Sequence, residues 1–311
     1  MNSAICTLFE GDYHYGVAAL ANSLHAQGYR GTIYAGYRGA LPPWVTDRGT
    51  PRGFAEFSPV AGLTLKFIPL TTDIHLTNFK PDFMLSLWRE YCPEAESFFY
   101  FDPDITILCG WSFYEEWVKG GVAVCADINP SMPANHPLRH AWKRFYQPHG
   151  INFHRELELY FNGGFFGLRR EQMEFLQCWQ RLQELMSPEI GGLKNVNVRD
   201  RTYLFHKTDQ DALNVAAMVS ESPISPMGQD GMDFQNGGGG YVMSHALGGQ
   251  KPWKKQFIKS VFRRGAAPSR ADRTYFRYVT SPIQLYSPPI LATKRLGLLT
   301  ACCLGRFMSI G

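Results

Sequence analysis

Two carboxylates, Asp102 and Asp104, come directly after an aromatic run in the segment "SFFYFDPDITIL". Two residues apart in an extended chain, their side chains can lean toward one point. Carboxylates that close repel unless a cation neutralises them. Hard oxygen ligands suit Mn²⁺ or Mg²⁺, which usually keep coordination positions open for phosphate oxygens. Aspartates also flank turns because they bond their own backbone, so a simple turn stands beside the metal reading.

A second group lies far downstream, in "SHALGGQKPW", where His245, Gly248, Lys251, Pro252 and Trp253 fall at fixed spacing. A neutral imidazole at His245 can serve as a third ligand for Mn²⁺. Gly248 and Gly249 let backbone approach a ligand with no Cβ in the way. Lys251 offers a point charge to a phosphate, and Pro252 stiffens the backbone beside it. A lone histidine is more often structural and a lone lysine solvated; the joint spacing is the stronger signal. A rival chemistry uses Asp102 as nucleophile and Asp104 as acid/base, as in haloacid-dehalogenase-type phosphatases. That motif ends the first strand of its domain, whereas at least three strand-like segments precede Asp102 here. The rival also leaves His245 to Trp253 unexplained.

These groups need a scaffold, and the preceding sequence supplies one. The strand-like "SAICTLF" leads into a helical stretch with Val17, Leu20, Ala21 and Leu24 at helical spacing and a stop signal at Gly28. The strand "GTIYAGY" comes next, giving a β-α-β opening, and then a Pro- and Gly-rich loop. After the loop come a strand at "LTLKFIPL", a helix at "DFMLSLWREYC" and the strand "SFFYF" that ends at Asp102. Beyond it lie the strand "GVAVCAD", an irregular aromatic stretch from Ile128 to Gly150, the strand-like "YFNGGFFGLRR" and the helix "EQMEFLQCWQRLQELM". Strands alternating with helices predict an α/β protein with a mainly parallel central sheet. Ligands of such sheets gather beyond the carboxyl ends of the strands, where Asp102 and Asp127 both stand. The sequence shows no internal repeat, and Gly237–Gly240 reads as a flexible loop.

Bulk properties bound the function. A chain of 311 residues with 45% hydrophobic and 19% charged residues is an ordinary globular protein, with room for one α/β domain and additions. The net charge of +4 suits an anionic small molecule and falls short of a nucleic-acid binder. Seven cysteines without a CxxC spacing read as buried thiols in a reducing compartment. Neither a signal peptide nor a spanning run of roughly 18 apolar residues is evident, so a cytoplasmic protein is expected. From about Lys254 the chain turns basic and partly apolar. Two readings stay open there: an interfacial segment touching anionic lipid at the inner membrane face, or an arm packed on its own domain.

The His-x-x-Gly-x-x-Lys-Pro-Trp segment, downstream of an Asp-x-Asp, resembles the retaining glycosyltransferases of family 8, the group of glycogenin and bacterial lipopolysaccharide galactosyl- and glucosyltransferases. The resemblance runs from about Ala4 to Trp253. It implies a GT-A fold over residues 1–253, with a Rossmann-like nucleotide-sugar half to about 126 and an acceptor and donor-sugar half to about 253; residues 254–311 form an extension. It implies Mn²⁺- or Mg²⁺-dependent transfer from a nucleotide sugar, with uridine diphosphate as carrier, to a glycan or lipid-linked acceptor in polysaccharide biosynthesis.

The resemblance also distributes roles. "CTLFEGDYHYG" is similar to the family's first strand and loop, placing Asp12, Tyr13 and Gly16 on the nucleotide pocket. Tyr13 can stack on a base, whose edge Thr7 and Leu8 can meet through backbone groups. In "YFNGGFFGLRR", Asn162 offers donor and acceptor groups to sugar hydroxyls, while Gly163 and Gly164 make room; a bulge would need the glycines alone. "KTDQDALN" resembles the helix start that faces the donor sugar, assigning Asp209 and Gln210 to the sugar and Asp211 to support. Capping alone could also explain Asp209. Asp127 joins this side. The family's basic residue before the Asp-x-Asp strand is Lys80 or Arg89, with Lys80 preferred because Lys-Pro opens a helix. A sugar-1-phosphate nucleotidyltransferase would want a Gly-rich basic loop where "FEGDYHYG" is acidic. A catalytically silent sugar-binding module would lack the metal triad.

Overall fold

The computed structural model describes residues 2–45, 54–129, 131–234, 241–265 and 267–308. The opening β-α-β unit is β1 (Ser3–Glu10), α1 (His14–Ala26) and β2 (Gly31–Arg38), with β1 and β2 parallel. A hairpin comes next, β3 (Ala55–Val60) antiparallel to β4 (Leu63–Pro69), and turns at Gly62, whose φ of +82° suits a residue without a Cβ. Then come α2 (Lys80–Glu90), β5 (Ser97–Phe101), β6 (Ile105–Ile107), α3 (Trp111–Trp117), β7 (Val122–Ala126) and α4 (Pro137–Tyr146). The rest is β8 (Phe161–Arg169), α5 (Met173–Met186), α6 (Thr208–Val219), β9 (Ile224–Met227), β10 (Met243–His245) and helices α7 (Phe257–Arg264), α8 (Arg270–Tyr275) and α9 (Pro288–Met308).

Eight strands form one sheet in the order β3-β4-β2-β1-β5-β8-β7-β9. Its first half is the expected parallel sheet, from β4 through β5. The decisive departure is β8, which runs antiparallel to both β5 and β7 between them. Its start therefore lies beside their ends. The Asp102 amide donates to the Gly164 carbonyl at 2.7 Å, continuing the ladder one step past the Phe101–Phe165 pair. A separate ribbon pairs β10 with β6 and sets His245 opposite Ile105, next to Asp104.

Core packing reflects the two-residue period of β5. Phe98 and Tyr100 join Trp88, Phe166 and Trp179 on the face covered by α2, α5 and α6. Phe99 and Phe101 join Val17, Leu20, Tyr114 and Phe165 on the face covered by α1 and α3. Such a strand is apolar throughout because both faces are buried. The C-terminal helices form a third cluster, in which Trp253, Phe257, Val261, Phe276 and Leu298 pack near Ala19 of α1.

Several elements differ from the sequence expectation. β3 escaped because Pro59 and Ser58 interrupt its apolar pattern. The stretch read as irregular contains α4, which has Pro137 in its first turn and a cap in which the Leu138 amide donates to His136 Nδ1. Gly237–Gly240 lies outside the described residues. Cys6, Cys92 and Cys125 are buried thiols as expected, but Cys303 is exposed. Among the described residues no helix is long and apolar enough to cross a membrane.

Candidate functional site

A cleft of about 560 Å³ opens where β1, β5 and β7 end and β8 begins. It is within the usual range of roughly 300–1,000 Å³ for small-molecule sites. Leu8, Tyr13, Lys80, Asp102, Asp104, Asn162, Asp209, Gln210, His245 and Lys251 all line it, although they span nearly 250 positions of sequence.

At its centre the ligand atoms of Asp102, Asp104 and His245 lie within 4.8 Å of one another. His245 Nε2 is 3.3 Å from Asp104 Oδ1 and 3.8 Å from Asp102 Oδ2. Adjacent ligands of an octahedral ion with bonds of about 2.1 Å sit about 3 Å apart, so small shifts would close the set on Mn²⁺ or Mg²⁺. Two carboxylate oxygens and one imidazole nitrogen are chemically suited to either. Burial opposes ionisation of Asp104, but His245 and the Lys251 ammonium bonded to its other oxygen hold its carboxyl well below the usual range. Burial likewise works against the Lys251 charge, and Asp104 more than offsets it, raising the lysine.

Glycine makes this convergence sterically feasible. A Cβ on Gly164 would stand 2.5 Å from His245 Cε1 and 2.9 Å from both Asn162 Oδ1 and Asp102 Oδ2. One on Gly163 would meet Asp209 Oδ2 at 2.8 Å. The glycine pair thus leaves space for the polar groups themselves, a stronger requirement than that of a bulge.

Lys80 opens α2 with its side chain almost fully buried, at 1% exposure. Its Nζ donates to the Gly163 carbonyl at 2.7 Å and to Asp209 Oδ2 at 3.1 Å, and lies 3.4 Å from Asp102 Oδ1. Tyr100 OH donates to the same Asp102 oxygen at 2.8 Å. Burial lowers the Lys80 affinity for its proton, and Asp102 and Asp209 together reverse that. Arg89 points away, exposed, with Nε on the Leu85 carbonyl of its own helix.

The start of α6 supplies the opposite wall. Gly163 N–H donates to Gln210 Oε1 at 3.1 Å, which fixes the amide and leaves its buried Nε2 without a partner. Asn162 accepts from the Gly164 amide and donates to Asp127 Oδ2. Asp209 is not the helix cap. Lys207 occupies that position, and its amide donates to Asp211 Oδ2 at 2.9 Å. Asp211 also accepts from Tyr160 OH at 2.6 Å, and burial pushes its carboxyl up to about 7.

Four expected positions sit differently. The β1 strand continues to Glu10, so Thr7 lies inside the sheet, fully buried and away from the cleft surface that Leu8, Phe9 and Glu10 reach. Asp12 turns outward and holds the C-terminal region instead, accepting from Trp253 Nε1 at 2.8 Å and pairing with Lys254 at 2.7 Å. Gly16 is a packing contact: its Cβ would strike the Pro103 carbonyl oxygen at 2.2 Å. Gly248 does not line the cleft and takes a left-handed turn, φ +93°, with open space around it. Tyr13 does line it, its ring edge-on to Trp253 and 5.8 Å from Lys251 Nζ. The sequence reading missed Glu10, His75, Asn197 and Lys207 on the cleft wall. Lys207 alone carried a signal, as the residue preceding the "TDQD" helix start.

No protein-family model matches the sequence, and no curated protein matches it either. Solved structures do. The glycosyltransferase GlyE of Streptococcus pneumoniae TIGR4 superposes with a TM-score of 0.51 at 15% identity, over 96% of this chain and 64% of that one. The apo bifunctional glycosyltransferase WbbM gives 0.53 at 13% identity, over 93% and 51%. An active-site mutant of LgtC gives 0.51 at 14% identity, over 94% and 99%. The chain thus spans less than two thirds of GlyE and about half of WbbM, and nearly all of LgtC. At these identities the likeness is one of architecture: the chain has the mixed α/β fold of GT-A glycosyltransferases.

Proposed function

We propose that this protein is a metal-dependent glycosyltransferase of the retaining family 8 kind, moving a sugar from a nucleotide sugar, with uridine diphosphate as carrier, to a glycan or lipid-linked acceptor. One observation carries the reading: Asp102, Asp104 and His245 converge beside Lys251 in the cleft at the sheet's carboxyl edge. A divalent cation held by these three residues would supply the charge that neutralises a departing diphosphate. Lys251, held on Asp104 and the Ala246 carbonyl, adds an ammonium at the same point, able to donate to a phosphate oxygen. Tyr13 and the backbone at Leu8 to Glu10 would border the nucleoside.

Gln210, whose buried Nε2 has no partner, lines the cleft where the transferred sugar would lie, and Asn162 and Asp209 offer further groups to its hydroxyls. Lys80 pairs with both Asp102 and Asp209 and holds them in place. In the reaction, the bond from the sugar anomeric carbon to the diphosphate oxygen breaks. The acceptor oxygen bonds to the same face of that carbon, and its proton passes to the departing phosphate oxygen. Gln210 orients and does not attack. A phosphatase would place Asp102 on the first strand of its sheet; here it comes after the fifth strand of the chain.

The test is nucleotide release from a panel of nucleotide sugars with Mn²⁺. Release that falls with Asp104→Asn and His245→Ala supports the reading. Unchanged release in both variants, or equal cleavage of a simple aryl phosphate, contradicts it.

The basic extension adds a surface partner. Residues 254–311 hold 11 of the chain's 31 Lys and Arg but only one of its 27 Asp and Glu, so they carry +10 against −6 for the remainder. The segment packs on α1 through one face and presents Ile258, Phe262, Leu296 and Leu299 to solvent on another. The segment packs on its own domain, and its exposed basic and apolar face supports the proposal of contact with an anionic lipid surface.

A further inference from the structure

A second cavity, of about 700 Å³, adjoins the cleft and shares Asn197 and Lys207 with it. The strand order sets its position. Along the sheet edge the cleft passes from β1, with Leu8 and Tyr13 beside it, to the metal residues after β5, and then to Asn162 on β8 and Asp127 after β7. The second cavity lies beyond Asp127, past the Lys207 Nζ that stands 3.8 Å from its Oδ1. A sugar held at Asn162 and Gln210 would have this cavity next along the edge.

The charge of its walls is one-sided. Arg201 and Lys207 supply it, and Arg201 has no partner among the described residues; His136 and His206 line the cavity as further ring-nitrogen groups, with burial and the nearby Arg139 holding His136 below its ordinary value. His136 uses only Nδ1, on the Leu138 amide, and His206 only Nδ1, against the Val198 carbonyl. The one acidic residue on the lining, Asp211, is sealed: its two oxygens accept from Tyr160 OH and the Lys207 amide. Met132 and Leu138 give the cavity an apolar side suited to the carbon face of a sugar ring.

We propose that this cavity seats the acceptor, and that the acceptor is a glycan bearing an anionic substituent, phosphate or carboxylate, on or beside the sugar that receives the transfer. The inference rests on the transferase reading of the main cleft. The unpaired Arg201, beside a Lys207 held only at 3.8 Å from Asp127, favours an anion through charge-assisted hydrogen bonds, which salt screens because Arg201 is exposed.

Calorimetric titration of the full chain, with UDP and Mn²⁺ saturating the main cleft, tests this with glucose, glucose 6-phosphate and glucuronate as probes. The charged sugars are expected to bind at least about tenfold more tightly than glucose in low salt, with the preference shrinking as salt rises. The two charged probes separate a phosphate from a carboxylate acceptor. Arg201→Ala should remove most of the preference and Arg201→Lys should retain much of it. Equal binding of charged and neutral sugars, or a preference untouched by Arg201→Ala, overturns the proposal. Nucleotide-sugar turnover without charge preference contradicts this inference alone, whereas charge preference without turnover counts against the transferase reading.

Discussion

Gly164→Ala is the smallest change that reaches the centre of the site. The added carbon would stand 2.5 Å from His245 Cε1 and 2.9 Å from Asp102 Oδ2 and Asn162 Oδ1. Carbon contacts normally settle at about 3.5–4.0 Å, so the imidazole must retreat by about 1 Å. Metal sites tolerate only about 0.2 Å in ligand distance, and a misplacement of about 1 Å costs on the order of a hundredfold in rate. Overpacking itself costs about 1–3 kcal/mol of stability, well below the loss that unfolds a domain of this size. The variant should therefore remain folded, with a melting temperature lowered by only a few degrees, yet lose Mn²⁺ affinity and about two orders of magnitude in nucleotide release. Circular dichroism, Mn²⁺ titration and turnover read the three effects separately. A folded variant with native metal affinity and turnover would refute the idea that Gly164 exists to admit these side chains.

Lys80→Met leaves Asp102 and Asp209 without their buried cation and should lower unfolding free energy in urea by about 3–5 kcal/mol, with Asp209→Asn added to it restoring part. A loss below about 1 kcal/mol would show that the carboxylates find other compensation. The Asp211 carboxyl, raised by burial to about 7, keeps its proton in the folded state where the unfolded chain has lost it. Its contribution is therefore full below about pH 4 and lost as pH rises through about 7, and Asp211→Asn should flatten that part of the stability profile. An unchanged slope between those limits would contradict the assignment. Vesicles containing anionic phosphatidylglycerol should bind the chain in low salt, and Phe262→Ser, removing a side chain 66% exposed, should weaken binding by about tenfold or more. Equal binding to neutral vesicles would remove the electrostatic part of that reading.

The parallel half of the sheet was readable from the sequence because its strands are doubly buried and bounded by turn signals, as in "SFFYF" and "VAVCA". The direction of β8 was not. Antiparallel insertion leaves no mark in a strand that is apolar on both faces, and it is β8 that brings Asn162 to Asp102 and Asp127. Asp102, Asp104 and His245 stood out through their joint spacing, since each residue type alone has ordinary structural uses in turns or cores. The outward turn of Asp12 was not legible, because its motif fixes local spacing while side-chain direction depends on where β1 ends and on how Trp253 docks beside α1. Arg201 carried no spacing at all, since cations on loops are ordinarily solvated, and Lys207 was marked only by its place before "TDQD".

Central to the proposed function is a nucleoside diphosphate held through a metal at Asp102, Asp104 and His245. Titration of UDP into the protein with and without Mn²⁺ measures that directly. Binding should weaken at least about tenfold when EDTA removes the metal, and by a similar factor in Asp104→Asn with Mn²⁺ present. UDP affinity indifferent to both changes would contradict it.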